Sequence, residues 1–211
     1  MKELSLDGLK IKWLGHAGFK ISDKKIIYID PYNIKETEKA DYIFITHSHY
    51  DHYSPKDIDK IKKDSTEIIS RSDVAAKEEG EVTVVSQGDY LDLDDFKLTA
   101  VAAYNVGKEF HKRAFGVGFI IEIDGKRIYH AGDTDYIREM ENKKEFGNID
   151  VALLPIGGTY TMDAEQAAKA ANTIKPKIAV PMHYGEIVGS KKDANKFKEL
   201  VDKDIKVEIL G

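Results

Sequence analysis

The stretch from Asp41 to Ser54 constrains this chain more than any other. An apolar run, Tyr42-Ile43-Phe44-Ile45, ends at Thr46 and is followed within six positions by His47, His49, Asp51 and His52. Short β-branched and aromatic runs form buried strands, so Thr46 marks the exit into a loop. Side chains alternate along an extended segment, which puts His47 and His49 on one side, where they can close on one cation. Asp51 and His52 come after the chain has turned and can face a second, neighbouring position. A solvated polar loop is the plain alternative, but three imidazoles and a carboxylate are costly to order so closely without a cation to share. Two adjacent metal positions are the reading that follows.

Composition narrows the metal chemistry. The chain has 211 residues and no cysteine, so neither disulfides nor thiolate zinc is available, and His and Asp must hold any ion. A chain of this length buries roughly 70–75% of its unfolded surface in one core, and a single domain over residues 1–211 is expected. The N-terminal residues lack an apolar segment and no long uncharged run occurs, which predicts a cytoplasmic protein with no membrane partner. The net charge of -5 is spread through intermixed charges and gives no footing for nucleic acid. A small-molecule substrate is the expected partner, and self-association is left open.

The spacing His-x-His-x-Asp-His at residues 47–52 resembles the signature of the metallo-β-lactamase superfamily. The resemblance implies an α/β (α+β) fold, the four-layer αββα sandwich, with metals at strand ends. The chain in order is compatible with it. Strands are expected at 9–14 and 19–21 around a turn tipped by His16, then at 25–29 before Asp30. Ser54 and Pro55 start a helix, strands at 67–70 and 82–86 flank a helix over 72–79, and a bent pair of strands spans 91–103. Asp124-Gly125 joins strands 115–123 and 127–130, the clearest hairpin signal in the sequence. A helix over 136–142, a strand at 150–156, a helix over 164–174 capped by Asp163, a strand running to His183, a helix near 193–201 and a strand at 205–210 complete the plan.

By the same resemblance, Asp30 is a carboxylate that braces the metal loop, Asp133 bridges two metals and His183 is the final ligand. Each also has a plainer reading: a strand-end turn, a helix cap and a structural histidine. Gly15-His16-Ala17, Tyr129 to Thr134 and Pro181 to Tyr184 look like the compact hydrolases related to ascorbate-6-phosphate lactonase and, more distantly, to N-acyl-phosphatidylethanolamine phospholipase D. One departure stands out. Where the family pattern places a histidine after the strand ending at Ala103, this chain has Tyr104-Asn105. His111 could return to that place from its loop, or be a surface histidine.

The implied metal set is therefore His47, His49, Asp51, His52, His111, Asp133 and His183, holding two divalent ions, zinc first with manganese, iron or nickel as alternatives. A metal-bound hydroxide would attack a small anionic ester, with a lactone preferred to a phosphodiester. Asp51 would orient it, and His16, Tyr160 or Thr161 would donate to the developing oxyanion, the loop Gly157–Thr161 being the expected substrate contact. Two other classes stand beside this hydrolase. A non-catalytic metal-binding or sensing protein would follow from a degenerate first site. A flavodiiron oxidoreductase is disfavoured by His49, where that class carries a carboxylate.

Overall fold

The computed structural model describes residues 3–211, in two compact units: one runs up to Val85 and includes Leu210–Gly211, the other is Ser86–Ile209. Each unit holds one seven-stranded mixed sheet with helices.

In the first unit the strands are β1 (Glu3–Leu6), β2 (Leu9–Gly15), β3 (Gly18–Ser22), β4 (Ile26–Ile29), β5 (Tyr42–Ile45), β6 (Glu67–Ser70) and β7 (Val82–Val84), lying side by side in chain order. The first four pair antiparallel, and β4 to β7 pair parallel. Helix α1 (Pro55–Ile61) connects β5 to β6, and the short α2 (Ser72–Ala75) connects β6 to β7. All four residues of β5 are buried, as a parallel strand covered on both faces requires. Ile43 and Ile45 alternate onto the face that packs Tyr28, Ile68, Val74 and the Ile58 and Ile61 stripe of α1.

The second unit repeats that plan. Strands β8 (Tyr90–Leu93), β9 (Phe96–Ala103), β10 (Gly116–Ile123) and β11 (Lys126–His130) pair antiparallel. β12 (Val151–Pro155), β13 (Ile178–Met182) and β14 (Lys206–Val207) continue from β11 in parallel. The sequence shows no repeat, yet the two sheets share one order and one pattern of strand directions. Asp124 and Gly125 take φ of 48° and 70°, the left-handed pair that a tight two-residue hairpin demands. Helix α4 (Ala164–Ile174) buries Ala164, Ala167, Ala168, Ala170 and Ala171, and the Asp163 side chain caps it by accepting from Gln166 N–H at 2.8 Å. α5 (Lys191–Leu200) buries Ala194 and Phe197.

Four local expectations are corrected. The helix expected over 72–79 stops at Ala75, and Glu78 instead reaches Tyr53 Oη at 2.9 Å and Lys62 Nζ at 3.0 Å. The helix expected over 136–142 is a 3-10 turn at Arg138–Glu141 followed by α3 (Lys143–Phe146). Asn142 separates them because its side chain caps α3 from Lys144 N–H, a position asparagine prefers to a helix interior. Ser54 stands before α1 without capping it, its hydroxyl donating to Asp57 Oδ2 at 2.7 Å. The last strand spans only two residues.

Candidate metal centre

In the first unit the predicted ligands leave the end of β5, where the loop is closed by the His49 carbonyl accepting from His52 N–H at 3.0 Å and Tyr53 N–H at 2.8 Å. That turn gathers the imidazoles. The His47 and His52 ring centres lie 4.1 Å apart and those of His47 and His49 4.7 Å. Asp30, fully buried at the end of β4 with φ of 44°, accepts from Thr46 N–H at 2.8 Å through Oδ1. Its Oδ2 takes the Thr46 hydroxyl at 2.7 Å and His52 Nδ1 at 2.8 Å.

This network decides tautomers. A carboxylate only accepts, so His52 Nδ1 carries its proton and Nε2 keeps the lone pair. The Thr46 hydroxyl spends its proton on Asp30, so at 3.0 Å it accepts from His47 Nδ1, leaving His47 Nε2 with its lone pair as well. His47 Nε2 lies 3.0 Å from His49 Nδ1. That separation is near the edge of roughly 3.3 Å that two nitrogens about 2.0–2.1 Å from one tetrahedral ion would span. His16 stands at the β2–β3 turn with φ of 48°, fixed by Trp13 Nε1–H donating to its carbonyl at 2.9 Å, and its Nε2 lies 3.0 Å from Asp51 Oδ2.

The second unit gathers a smaller set. Asp133, after β11, has Oδ2 at 3.3 Å from His111 Nε2 and 3.2 Å from His183 Nε2, and all three side chains are buried. His183 follows β13 at φ of 58° against Gly157, where even a Cβ would come within 2.7 Å of the His183 carbonyl oxygen. His111 is not a surface residue: its loop folds back and buries it against Asn105 and the Tyr160 carbonyl. His130 is buried, its Nδ1 accepting from Gly132 N–H at 3.2 Å. The donor sets of both units, imidazole nitrogen and carboxylate oxygen with no sulfur, suit a divalent cation of the zinc, manganese, iron or nickel kind.

A model of the beta-lactamase superfamily domain matches residues 10–183. The chain belongs to the metallo-β-lactamase superfamily. Relatives named UPF0173 metal-dependent hydrolase include one of Thermococcus onnurineus, 37% identical over 217 residues with 96% of each chain covered, and one of Pyrococcus abyssi, 38% identical over 219 residues with the same coverage. A candidate metal-dependent hydrolase of Parabacteroides distasonis has the same fold at a TM-score of 0.86 and 35% identity, covering 99% of this chain and 96% of its own. Igni18, a metallo hydrolase of the archaeon Ignicoccus hospitalis, matches at a TM-score of 0.79 and 30% identity, covering 95% and 94%.

Within the superfamily pattern, several residues that position the site escaped the sequence reading. Thr46 is one, although it directly precedes His47 and so stood in plain view. Asp135 is another: its Oδ1 bonds Lys108 Nζ at 2.6 Å, and the same ammonium bonds the carbonyls of Thr161 and Gly158 at 2.7 and 3.2 Å. The loop Gly157–Thr161, the expected substrate contact, is partly packed down. Thr161 is fully buried with its hydroxyl turned to the Met162 carbonyl at 3.3 Å, and the Tyr160 ring meets Phe110 edge-on at 4.7 Å between centres.

Proposed function

We propose that the chain is a metal-dependent hydrolase of small esters, acting as one functional domain on carbonyl centres, lactones above all, rather than on phosphodiesters. The coarse class follows from the superfamily and from the relatives' names. His47, His49, Asp51 and His52 of the first unit, and His111, Asp133 and His183 of the second, are the residues assigned to hold two divalent ions. The observation that carries the reading is the Asp30–Thr46 network, which holds His47 and His52 with Nε2 ready to donate a lone pair. Divalent ions held by these residues would polarise a carbonyl oxygen and lower the pKa of a bound water toward neutrality.

The chain's own groups supply the rest. Asp51 Oδ2, 3.0 Å from His16 Nε2, would accept a proton from the attacking water. Tyr160 remains the assigned donor to the developing oxyanion, while Thr161, whose hydroxyl is turned away, loses that role. The preference for a carbonyl rests on charge. A phosphoryl centre spreads charge over its equatorial oxygens and calls for more positive donors. The cations of the His111 loop are already engaged: Lys108 with Asp135, Lys112 with Glu109, and Arg113 with Glu139 and the Tyr104 ring. An anionic substrate would thus be matched by the metal ions themselves. The non-catalytic alternative rested on the Tyr104-Asn105 departure, and the buried His111 beside Asp133 gives the second unit an imidazole despite it.

Elemental analysis of the purified chain, followed by turnover of a sugar lactone and of a simple aromatic phosphodiester, tests the reading. Two ions per chain and lactone turnover unchanged by Arg113→Ala are expected. Strong diesterase activity that Arg113→Ala abolishes, with no lactonase activity, would reverse the substrate preference.

A further inference from the structure

Asn105 lies just past the end of β9, and its polar groups are held on three sides. Its backbone N–H donates to the His111 carbonyl at 2.7 Å, its Oδ1 accepts from His111 N–H at 3.0 Å, and its Nδ2 donates to the Tyr160 carbonyl at 2.9 Å. The last two bonds fix the orientation of the amide. His111 Nδ1 then faces two acceptors, Asn105 Oδ1 at 3.1 Å and the Tyr160 carbonyl at 3.1 Å. A ring nitrogen between two acceptors carries the proton, so the lone pair resides on Nε2, the atom 3.3 Å from Asp133 Oδ2. Both Asn105 and His111 are buried, so water does not compete for these bonds.

The intervening loop is tied down by a separate set of contacts. Val106 N–H donates to Asp135 Oδ2 at 2.8 Å, and the Lys108 ammonium bonds Asp135 Oδ1 at 2.6 Å as well as the two carbonyls of the 157–161 loop. The segment that brings His111 back is therefore anchored to the residue two positions beyond Asp133 and to the loop that supplies the Tyr160 carbonyl.

We infer that Asn105 is a positioning residue for the metal centre: with the Tyr160 carbonyl that it also holds, it keeps His111 in the Nδ1–H tautomer, so that Nε2 faces Asp133 with its lone pair. This rests on the reading of His111 as a ligand. It adds that the amide at 105 supports His111 twice, as one of the two acceptors on Nδ1 and by holding the other, the Tyr160 carbonyl, through Nδ2. Acceptors behind a metal-binding imidazole typically account for 10–100-fold in metal affinity.

The test uses the full chain, stripped of metal and titrated with zinc against a chromophoric chelator, with bound metal counted by elemental analysis. Asn105→Leu removes one of the two acceptors on His111 Nδ1 together with the bond that holds the other, whereas Asn105→Asp retains the acceptor oxygen. Asn105→Leu is expected to weaken one of the bound ions about 10–100-fold, while Asn105→Asp stays within a few-fold of the parent. Unchanged affinity and stoichiometry in Asn105→Leu, or an equal loss in Asn105→Asp, would overturn the inference. Nitrogen-15 NMR of the metal-free parent chain needs no variant: His111 is expected as the Nδ1–H tautomer, and the Nε2–H tautomer would also overturn it. His111→Ala separates the two readings. If that variant keeps its full metal content, the ligand assignment itself fails; if it loses an ion and Asn105→Leu does not, only the positioning role fails.

Discussion

Replacing Asp30 by Asn removes a charge and exchanges one acceptor for a donor at almost constant volume. The backbone there has φ of 44°, a region asparagine enters as readily as aspartate, so the change adds no backbone strain. Asn Oδ1 can keep the bond from Thr46 N–H, and the Thr46 hydroxyl can rotate to accept from the new amide. His52 cannot adapt so cheaply. Its Nδ1, 2.8 Å from Oδ2, must become an acceptor, which moves the proton to Nε2 and takes the lone pair from the assigned ligand atom. The rotated Thr46 hydroxyl would push His47 toward the same wrong tautomer. Loss of one buried charge-assisted bond costs about 2 kcal/mol, which for a chain of this length lowers the melting temperature by roughly 4–8 °C. Metal affinity should fall about 10–100-fold. Thermal unfolding of the metal-free protein followed by circular dichroism, with zinc binding measured on the same preparation, reads both effects. Unaltered zinc affinity in Asp30→Asn would refute the tautomer argument, and an unaltered melting temperature would refute the energetic one.

Three further outcomes are expected. Asp133→Asn, which neutralises the carboxylate held between His111 and His183, should abolish hydrolysis with circular dichroism unchanged; full activity at saturating metal would exclude a bridging role. Gly157→Ala would place a methyl 2.6 Å from Val188 Cγ2 and 2.7 Å from the His183 carbonyl, so a loss of about 1–3 kcal/mol on denaturant unfolding and a displaced His183 with weaker metal binding should follow. Burial alone would raise the Asp57 carboxyl, but Lys60, the Ser54 hydroxyl and Asn33 N–H outweigh burial and hold it below the ordinary range. Its folded pKa is thus below its unfolded value of about 3.9, so its contribution is present above about pH 4 and lost as pH falls through the folded pKa; Asp57→Asn should be destabilised at neutral pH and converge on the parent in acid, as pH-dependent urea midpoints will read.

Local signals gave a large part of the fold away because each acts over a few residues. Tyr42–Ile45 is apolar on both faces and became a covered parallel strand; Asp124-Gly125 has the left-handed freedom a hairpin turn needs; Asp163 satisfies an otherwise open amide at the start of α4. The cluster at residues 47–52 was legible for the same reason, since strand periodicity and one turn suffice to gather it. Other features depended on partners distant in the chain. Asn105 and His111 are six apart, but what holds them is the Tyr160 carbonyl, and no spacing rule announces that a backbone oxygen some fifty positions away will fix a tautomer. Thr46 looked like a strand exit until Asp30, just past the end of another strand, turned its hydroxyl into a relay. The helix expected to reach residue 79 stopped at Ala75, with Glu78 bound to Tyr53 and Lys62. Sequence by itself determined which residue types could bind a metal and which strands would carry them. Tertiary structure alone decided which nitrogen of His47, His52 and His111 holds the proton, because that depends on which acceptor the folded chain places behind it.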